Sequence, residues 1–132
     1  MFGSFDISTS ALTAQRTRLE TIASNIANVD SIRMPGQDSP YRRLYPVFEP
    51  QRSAQGAAGV RVSKIEEDTS DPHPVFDPGN RFADSKGYVY YPNVDLSTEY
   101  VNALETTRAY EANVTAIETT KSMLAATLRV LA

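Results

Sequence analysis

Apolar residues recur every seven positions at both ends of this 132-residue chain but not through its middle, and that repeat limits the fold more than any other feature. Near the N-terminus Phe5, Leu12, Leu19 and Ile26 form one row, with Ile22 and Val29 on the adjoining one. Near the C-terminus Leu96, Ala103, Tyr110, Ile117, Leu124 and Leu131 repeat the pattern, interleaved by Tyr100, Val114 and Leu128. A seven-residue repeat held over several turns makes a narrow seam that one helix buries against another. Polar breaks at Ser8, Gln15, Thr107 and Lys121 interrupt both seams, which restricts the registers in which they can pair. A chain whose ends clamp each other around an insert reads as a building block.

The expected architecture is mainly α with a small β insert. Long N- and C-terminal helices pair as a coiled coil, and a loop-rich β-hairpin or small sheet lies between them. Three segments follow: residues 1–31, 32–95 and 96–132. Asp6 or Ser8 is the expected N-cap of the first helix, and Asn28, Asp30 and then Pro35-Gly36 end it. All eight prolines and five of the six glycines fall in residues 32–95. Short β-favouring runs at 41–48, 60–65 and 88–91 lie between these breakers. Pro46 confines the first run to an edge or a bulge. Residues 51–59 are expected as a flexible loop, and residues 71–80 as extended or turn material. Asp95 or Ser97 caps the second helix, which then meets neither glycine nor proline. At about 1.5 Å per residue it outreaches the first by roughly 15 Å, so its last turns need a partner from elsewhere.

Chemistry-bearing patterns are sparse. The chain has no cysteine, which removes disulfides, thiolate metal sites and cysteine nucleophiles. His73 is the single histidine and sits between two prolines. Gly56 and Gly59 lack the lysine of a phosphate loop and precede a strand. Asp77, Asn80, Asp84 and Ser85 do not fit a calcium-loop spacing and read as a turn scaffold. No catalytic residue, metal ligand or cofactor is assigned. Thirteen basic against sixteen acidic residues, scattered along the chain, make no nucleic-acid footprint. No apolar run approaches the roughly 18 residues needed to span a bilayer. The start is read as lacking a cleaved secretory signal, because its first basic residue, Arg16, already lies inside the amphipathic pattern.

The segment Ala23-Ser-Asn-Ile-Ala-Asn-Val-Asp-Ser31 resembles the N-terminal signature of bacterial flagellar rod and hook axial proteins. Further matches are similar to the proximal-rod branch of that family. They are Pro40-Tyr41-Arg42, Pro78-Gly-Asn, Ala83-Asp84-Ser-Lys-Gly-Tyr-Val89, Pro92-Asn-Val-Asp95 and Arg108-Ala-Tyr110-Glu-Ala-Asn113 with Lys121-Ser-Met123. They span the whole chain in order. Ser31 stands where broader rod and hook relatives carry Thr, and Arg81-Phe82 replaces a Pro-Leu type pair.

The resemblance implies a non-enzymatic axial subunit of the flagellar basal body, exported by the flagellar type III apparatus and stacked helically in the rod across the periplasm. Its implied partners are itself and other rod proteins, namely proximal-rod neighbours and the adjacent distal rod. Residues expected at the assembly interface are Leu12, Leu19, Ile22, Asn25, Ile26 and Asn28 on the first helix. Tyr110, Asn113, Val114, Ile117, Leu124, Leu128 and Leu131 are expected there on the second. The rival readings are a soluble coiled-coil adaptor for another partner, and an enzyme built on Asp84 or His73. Helices with one-sided seams are marginal alone in water, so both ends are expected to loosen in the free subunit and to order on docking. Placing an unpaired charge in the second seam costs several kcal/mol, an order-of-magnitude figure. Leu124→Asp is therefore expected to abolish swimming while the protein is still exported. Normal swimming by that variant would contradict the seam.

Overall fold

The computed structural model describes residues 2–52, 54, 56 and 58–132. Two helices frame four short strands: α1 (Phe2–Ala27), β1 (Leu44–Arg52), β2 (Ala58–Glu67), β3 (His73–Phe76), β4 (Tyr88–Tyr91) and α2 (Leu96–Leu131). Mainly α with a small β insert describes the whole. The helices run antiparallel: Asn25 meets Glu99, and Arg18 approaches Glu105 at 3.8 Å, so numbers fall along α1 as they rise along α2. α1 also packs against β1 and β2; among the described helices and strands, α2 packs against α1.

α1 starts at Phe2, ahead of both expected caps. Ser8 is buried in mid-helix, and Asp6 faces solvent, where a weak helix former costs only a few tenths of a kcal/mol. The end falls where the breakers put it. Asn28 Nδ2 donates to the Ser24 carbonyl at 2.8 Å and the Ser31 hydroxyl donates to Asn28 Oδ1 at 3.1 Å, satisfying groups the last turn leaves open. α2 begins with Asp95 as N-cap, its carboxylate accepting from the Ser97 N–H at 3.0 Å. At 26 and 36 residues the helices are about 39 and 54 Å long.

The insert forms two separate two-stranded antiparallel sheets, β1–β2 and β3–β4. β1 carries a bulge between Val47 and Phe48, one residue past Pro46, whose missing N–H interrupts the ladder there. The expected loop at 51–59 is shorter than its composition suggested, since Gln51 pairs with Gly59 and Arg52 with Ala58. Ser53, Gln55 and Ala57, also part of that expectation, lie outside the described residues. Gly59 is needed because β2 crosses α1 closely; a Cβ there would lie 2.6 Å from the Ser10 hydroxyl oxygen. That hydroxyl accepts from the Val60 N–H at 3.1 Å. β3 arises within residues 71–80, which composition marked only as extended or turn; pairing with β4 makes it a strand.

The loop joining β3 to β4 is a turn scaffold around Asp84. Its carboxylate accepts from the backbone of Tyr88 and Lys86 and from the Tyr90 hydroxyl, each at 2.9 Å. The Tyr88 N–H contributes most to holding that carboxyl below the usual aspartate range, and the same carboxylate raises the Tyr90 hydroxyl pKa. Arg33 ties this sheet to the end of α1. Its N–H donates to the Tyr90 carbonyl at 3.0 Å and its guanidinium lies 4.6 Å from the Tyr90 ring centre.

Gly87 closes the loop with φ +86°, and a Cβ there would sit 2.9 Å from Phe76 Cε2 and 3.2 Å from Pro78 Cβ. Gly87→Ala is expected to cost about 1–2 kcal/mol in backbone strain alone. The damage should be local: nuclear magnetic resonance of the purified variant should show β3–β4 resonances displaced and those of residues 99–106 unmoved. Unchanged β3–β4 resonances would contradict the turn geometry.

Candidate assembly interface

The helix junction is built from polar groups. Asn25, Glu99 and Thr106 have no exposure, whereas the apolar side chains buried outright among the described residues are Ala14, Ile22 and Val89. Asn25 lies on the last full turn of α1, where the chain leaves for the insert and then returns through β1. Its amide meets the backbone of Leu44 as a neighbouring strand would. Nδ2 donates to the Leu44 carbonyl at 2.8 Å, and the Leu44 N–H donates to Oδ1, also at 2.8 Å. The Tyr41 hydroxyl donates a second bond to Oδ1 at 2.9 Å, and Nδ2 reaches Glu99 Oε2 at 3.4 Å. All four hydrogen-bonding positions of the amide are filled.

Glu99, one turn into α2, pairs its other oxygen with Arg43 Nε, the residue before β1. A fully buried carboxylate without such a partner would be strongly destabilising. Asn25, Leu44, Arg43 and Glu99 thus tie α1, the insert and α2 at one point. Farther along the seam Thr106 returns its hydroxyl to the Asn102 carbonyl at 2.6 Å, and Thr21 bonds the Arg18 carbonyl at 2.8 Å. Gln15 Oε1 is buried without a hydrogen-bond partner among the described residues.

The expected interface residues fall into three groups. Ile22 and Asn25 are buried within the subunit. Leu12, Leu19, Ile26 and Asn28 of α1, with Tyr110, Asn113, Val114, Ile117 and Leu124 of α2, are half-buried. Leu128 and Leu131 are exposed by 59% and 77%. The second α2 row is corrected: Tyr100 is 59% exposed, and the row that faces α1 beside Ala103, Tyr110, Ile117 and Leu124 is Glu99, Thr106, Asn113 and Thr120. Ranking residues by hydropathy picked the apolar row next to the seam instead of the hydrogen-bonded row in it. From Ala125 onward every residue of α2 is exposed.

Sequence reasoning missed a second apolar stripe on α2. Leu96, Tyr100, Val101 and Leu104 are all exposed, with Leu96 at the start of the row that faces α1 and Val101 and Leu104 well off that row. Their four-residue spacing (96, 100, 104) was the available signal. His73 is exposed on β3, and no group of three His, Asp or Glu among the described residues could hold a metal ion.

Comparison with known proteins gives the same emphasis to both ends. A family profile described as flagella basal body rod protein matches residues 5–31, and one described as flagellar basal body rod FlgEFG protein C-terminal matches residues 85–130. The chain is 47% identical over 125 residues to the flagellar basal-body rod protein FlgC of Yersinia enterocolitica, covering 94% of this chain and 92% of that protein. It is 43% identical over 145 residues to the FlgC of Bacillus subtilis, covering 98% and 97%. The FlgC of Salmonella typhimurium is 43% identical over 125 residues, covering 94% and 92%.

Removing the Asn25 amide leaves the Leu44 N–H and C=O unpaired in the interior, at about 1–3 kcal/mol each. Asn25→Ala is expected to lower the denaturant midpoint of the purified subunit by the equivalent of roughly 3 kcal/mol. Asn28→Ala, at the more open helix end, should cost about 1 kcal/mol or less. Equal effects would contradict the central place given to Asn25.

Proposed function

The chain belongs to the FlgC family of flagellar basal-body rod proteins, and from that premise we propose that it polymerises helically, through its terminal helices, into the proximal part of the rod. It is a structural rod subunit and not an enzyme. In this reading residues 1–31 and 96–132 pair as a coiled coil that lines the inner tube, and residues 32–95 fill the outside and bridge neighbours. Torque entering at the motor passes along the stacked helices toward the hook. The partners are further copies of this chain, the neighbouring proximal-rod proteins and the adjacent distal rod.

The observation that carries the reading is the uncovered end of α2. α1 stops short, residues 125–132 are all exposed, and Leu128, Val130 and Leu131 are exposed by 59, 84 and 77%. That much apolar surface on about 12 Å of helix needs cover from another subunit. The half-buried rows at Leu12, Leu19 and Ile26 and at Tyr110, Val114, Ile117 and Leu124 extend the same contact along both helices. Asn25 and Asn28 contribute by holding the α1 end in place.

Export through the flagellar type III apparatus, without a cleaved signal, and a final place in the rod across the periplasm belong to the same proposal. A subunit with few buried apolar side chains and no cysteine unfolds at modest cost. No helix among the described residues is long and apolar enough to cross a membrane.

Deleting residues 125–132 tests the reading. The purified truncated subunit should nearly keep the unfolding midpoint of the full chain, because all of those residues are exposed. Cells carrying only the truncated form should make no rod and not swim. Rods of normal length in electron micrographs of such cells would overturn the proposal.

A further inference from the structure

Every strand of the insert has one outer edge, because each sheet holds only two strands. In an antiparallel ladder alternate residues turn their N–H and C=O away from the partner strand. On β1 these are Leu44, Pro46, Phe48 and Pro50. Asn25 bonds both groups of Leu44, and the prolines have no N–H to offer. On β4 they are Tyr88 and Tyr90, bonded by Asp84 and by the Arg33 N–H. β3 is short and carries Pro74 on its outer side, opposite Tyr90.

The edge of β2 is different. Its outward residues are Val60, Val62, Ile65 and Glu67, because the register shift beside Val47 leaves Ser63 without a partner in the ladder. The Val60 N–H is taken by the Ser10 hydroxyl. Among the described residues nothing bonds the outward backbone groups of Val62, Ile65 and Glu67. Ile65 is 50% exposed, and Ser63, Lys64 and Glu67 are exposed beside it. The side chains of Ile65 and Glu67 share one face, two residues apart, and Glu67 has no ion pair among the described residues.

We propose that this edge of β2 takes an added strand from a different protein of the rod. The strand is an extended segment with an apolar residue against Ile65 and, two positions along, a basic residue against Glu67. The inference rests on the rod reading, which puts other proteins beside this chain. Main-chain hydrogen bonds hold such a strand, and the side chains opposite Ile65 and Glu67 select it. A second copy does not fit. Its β1 edge is blocked, and two β2 edges meet about a two-fold axis, which closes as a dimer and propagates nothing. The shift at Ser63 also breaks the edge into short pieces, which refuses a long flat strand.

Proline substitution tests the edge. Ile65→Pro removes an N–H that the ladder with β1 does not use, and Ile65→Val keeps it. The two purified subunits should unfold at similar midpoints, whereas Glu66→Pro, which removes an N–H facing Tyr45, should unfold well below both. With each as the sole copy in cells, incorporation of Ile65→Pro into isolated rods should fall about tenfold relative to Ile65→Val. Equal incorporation, or a midpoint loss in Ile65→Pro as large as in Glu66→Pro, would overturn the proposal. Photo-cross-linking identifies the occupant. With Ser63 replaced by p-benzoylphenylalanine, irradiated basal bodies should yield one product, whose mass spectrum contains a peptide of another protein with the apolar and basic residues so spaced. A cross-link to a second copy, or none from incorporated protein, would overturn the added strand while the rod reading stands. Should the Ser63 variant fail to incorporate, the comparison of Ile65→Pro with Ile65→Val decides. Absence of the unsubstituted chain from isolated rods would overturn the rod reading itself.

Discussion

A single side-chain amide stands in for a β-strand in this fold. Asn25 gives Leu44 the donor and acceptor that a neighbouring strand would give, and in the same place meets the carboxylate of Glu99. The chain leaves α1, re-enters through β1 and returns along α2, and this one residue fixes the relative position of all three. Arg43 closes the arrangement by pairing with Glu99 from the residue next to Leu44. Without the amide, α1 would keep its helical propensity, yet nothing else on its face could fill both open backbone groups of β1. An aliphatic residue of similar size would bury more apolar area and still leave those groups unsatisfied.

The rest of the subunit follows from how little apolar surface it buries on its own. Fully burying Ile22 is worth about 2 kcal/mol, and few side chains are buried that well. Away from the junction, α1 and α2 hold each other through half-buried rows, and beyond Leu124 every residue of α2 is exposed. Stability is therefore graded along the helix pair, highest at the junction and lowest at the chain ends. For a rod subunit this gradient is useful. The ends stay available for neighbours, and the junction keeps the insert correctly placed while they dock. Assembly then supplies the apolar cover that the isolated chain lacks.

Much of this was legible in the residues. The seven-residue rows located both helices, the prolines and glycines bounded the insert, and Asp95 marked the start of α2, because each is a local rule with a local cause. The excess length of α2 was legible for the same reason. What escaped depended on contacts distant in sequence. Glu99 and Thr106 look like solvent-facing positions until α1 is laid beside them, and their burial displaced Tyr100 from the seam. The start of α1 at Phe2 escaped because Ser8, read as a cap, is buried in mid-helix and Asp6 costs the helix little at an exposed position. β3 was hidden by Pro74 and became a strand only through β4, whose paired residues lie twelve or more positions away in the chain. The Asn-Ile-Ala-Asn segment stood out as unusual, but its residues alone left helix ending and assembly equally open. The structure gives Asn28 the first task and Asn25 a third, the stapling of β1.

Amide hydrogen exchange on the dilute full-length subunit tests the graded-stability account most directly. Protection should peak at residues 21–26, at the paired amides of β1 and β2, and at residues 100–107. It should fall to near random-coil rates over residues 2–8 and 121–131. Uniform strong protection along both helices would contradict the account and describe a self-contained helical hairpin. Protection absent from residues 21–26 and 100–107 would contradict it equally, because the Asn25–Leu44–Glu99 junction would then hold nothing in the free chain.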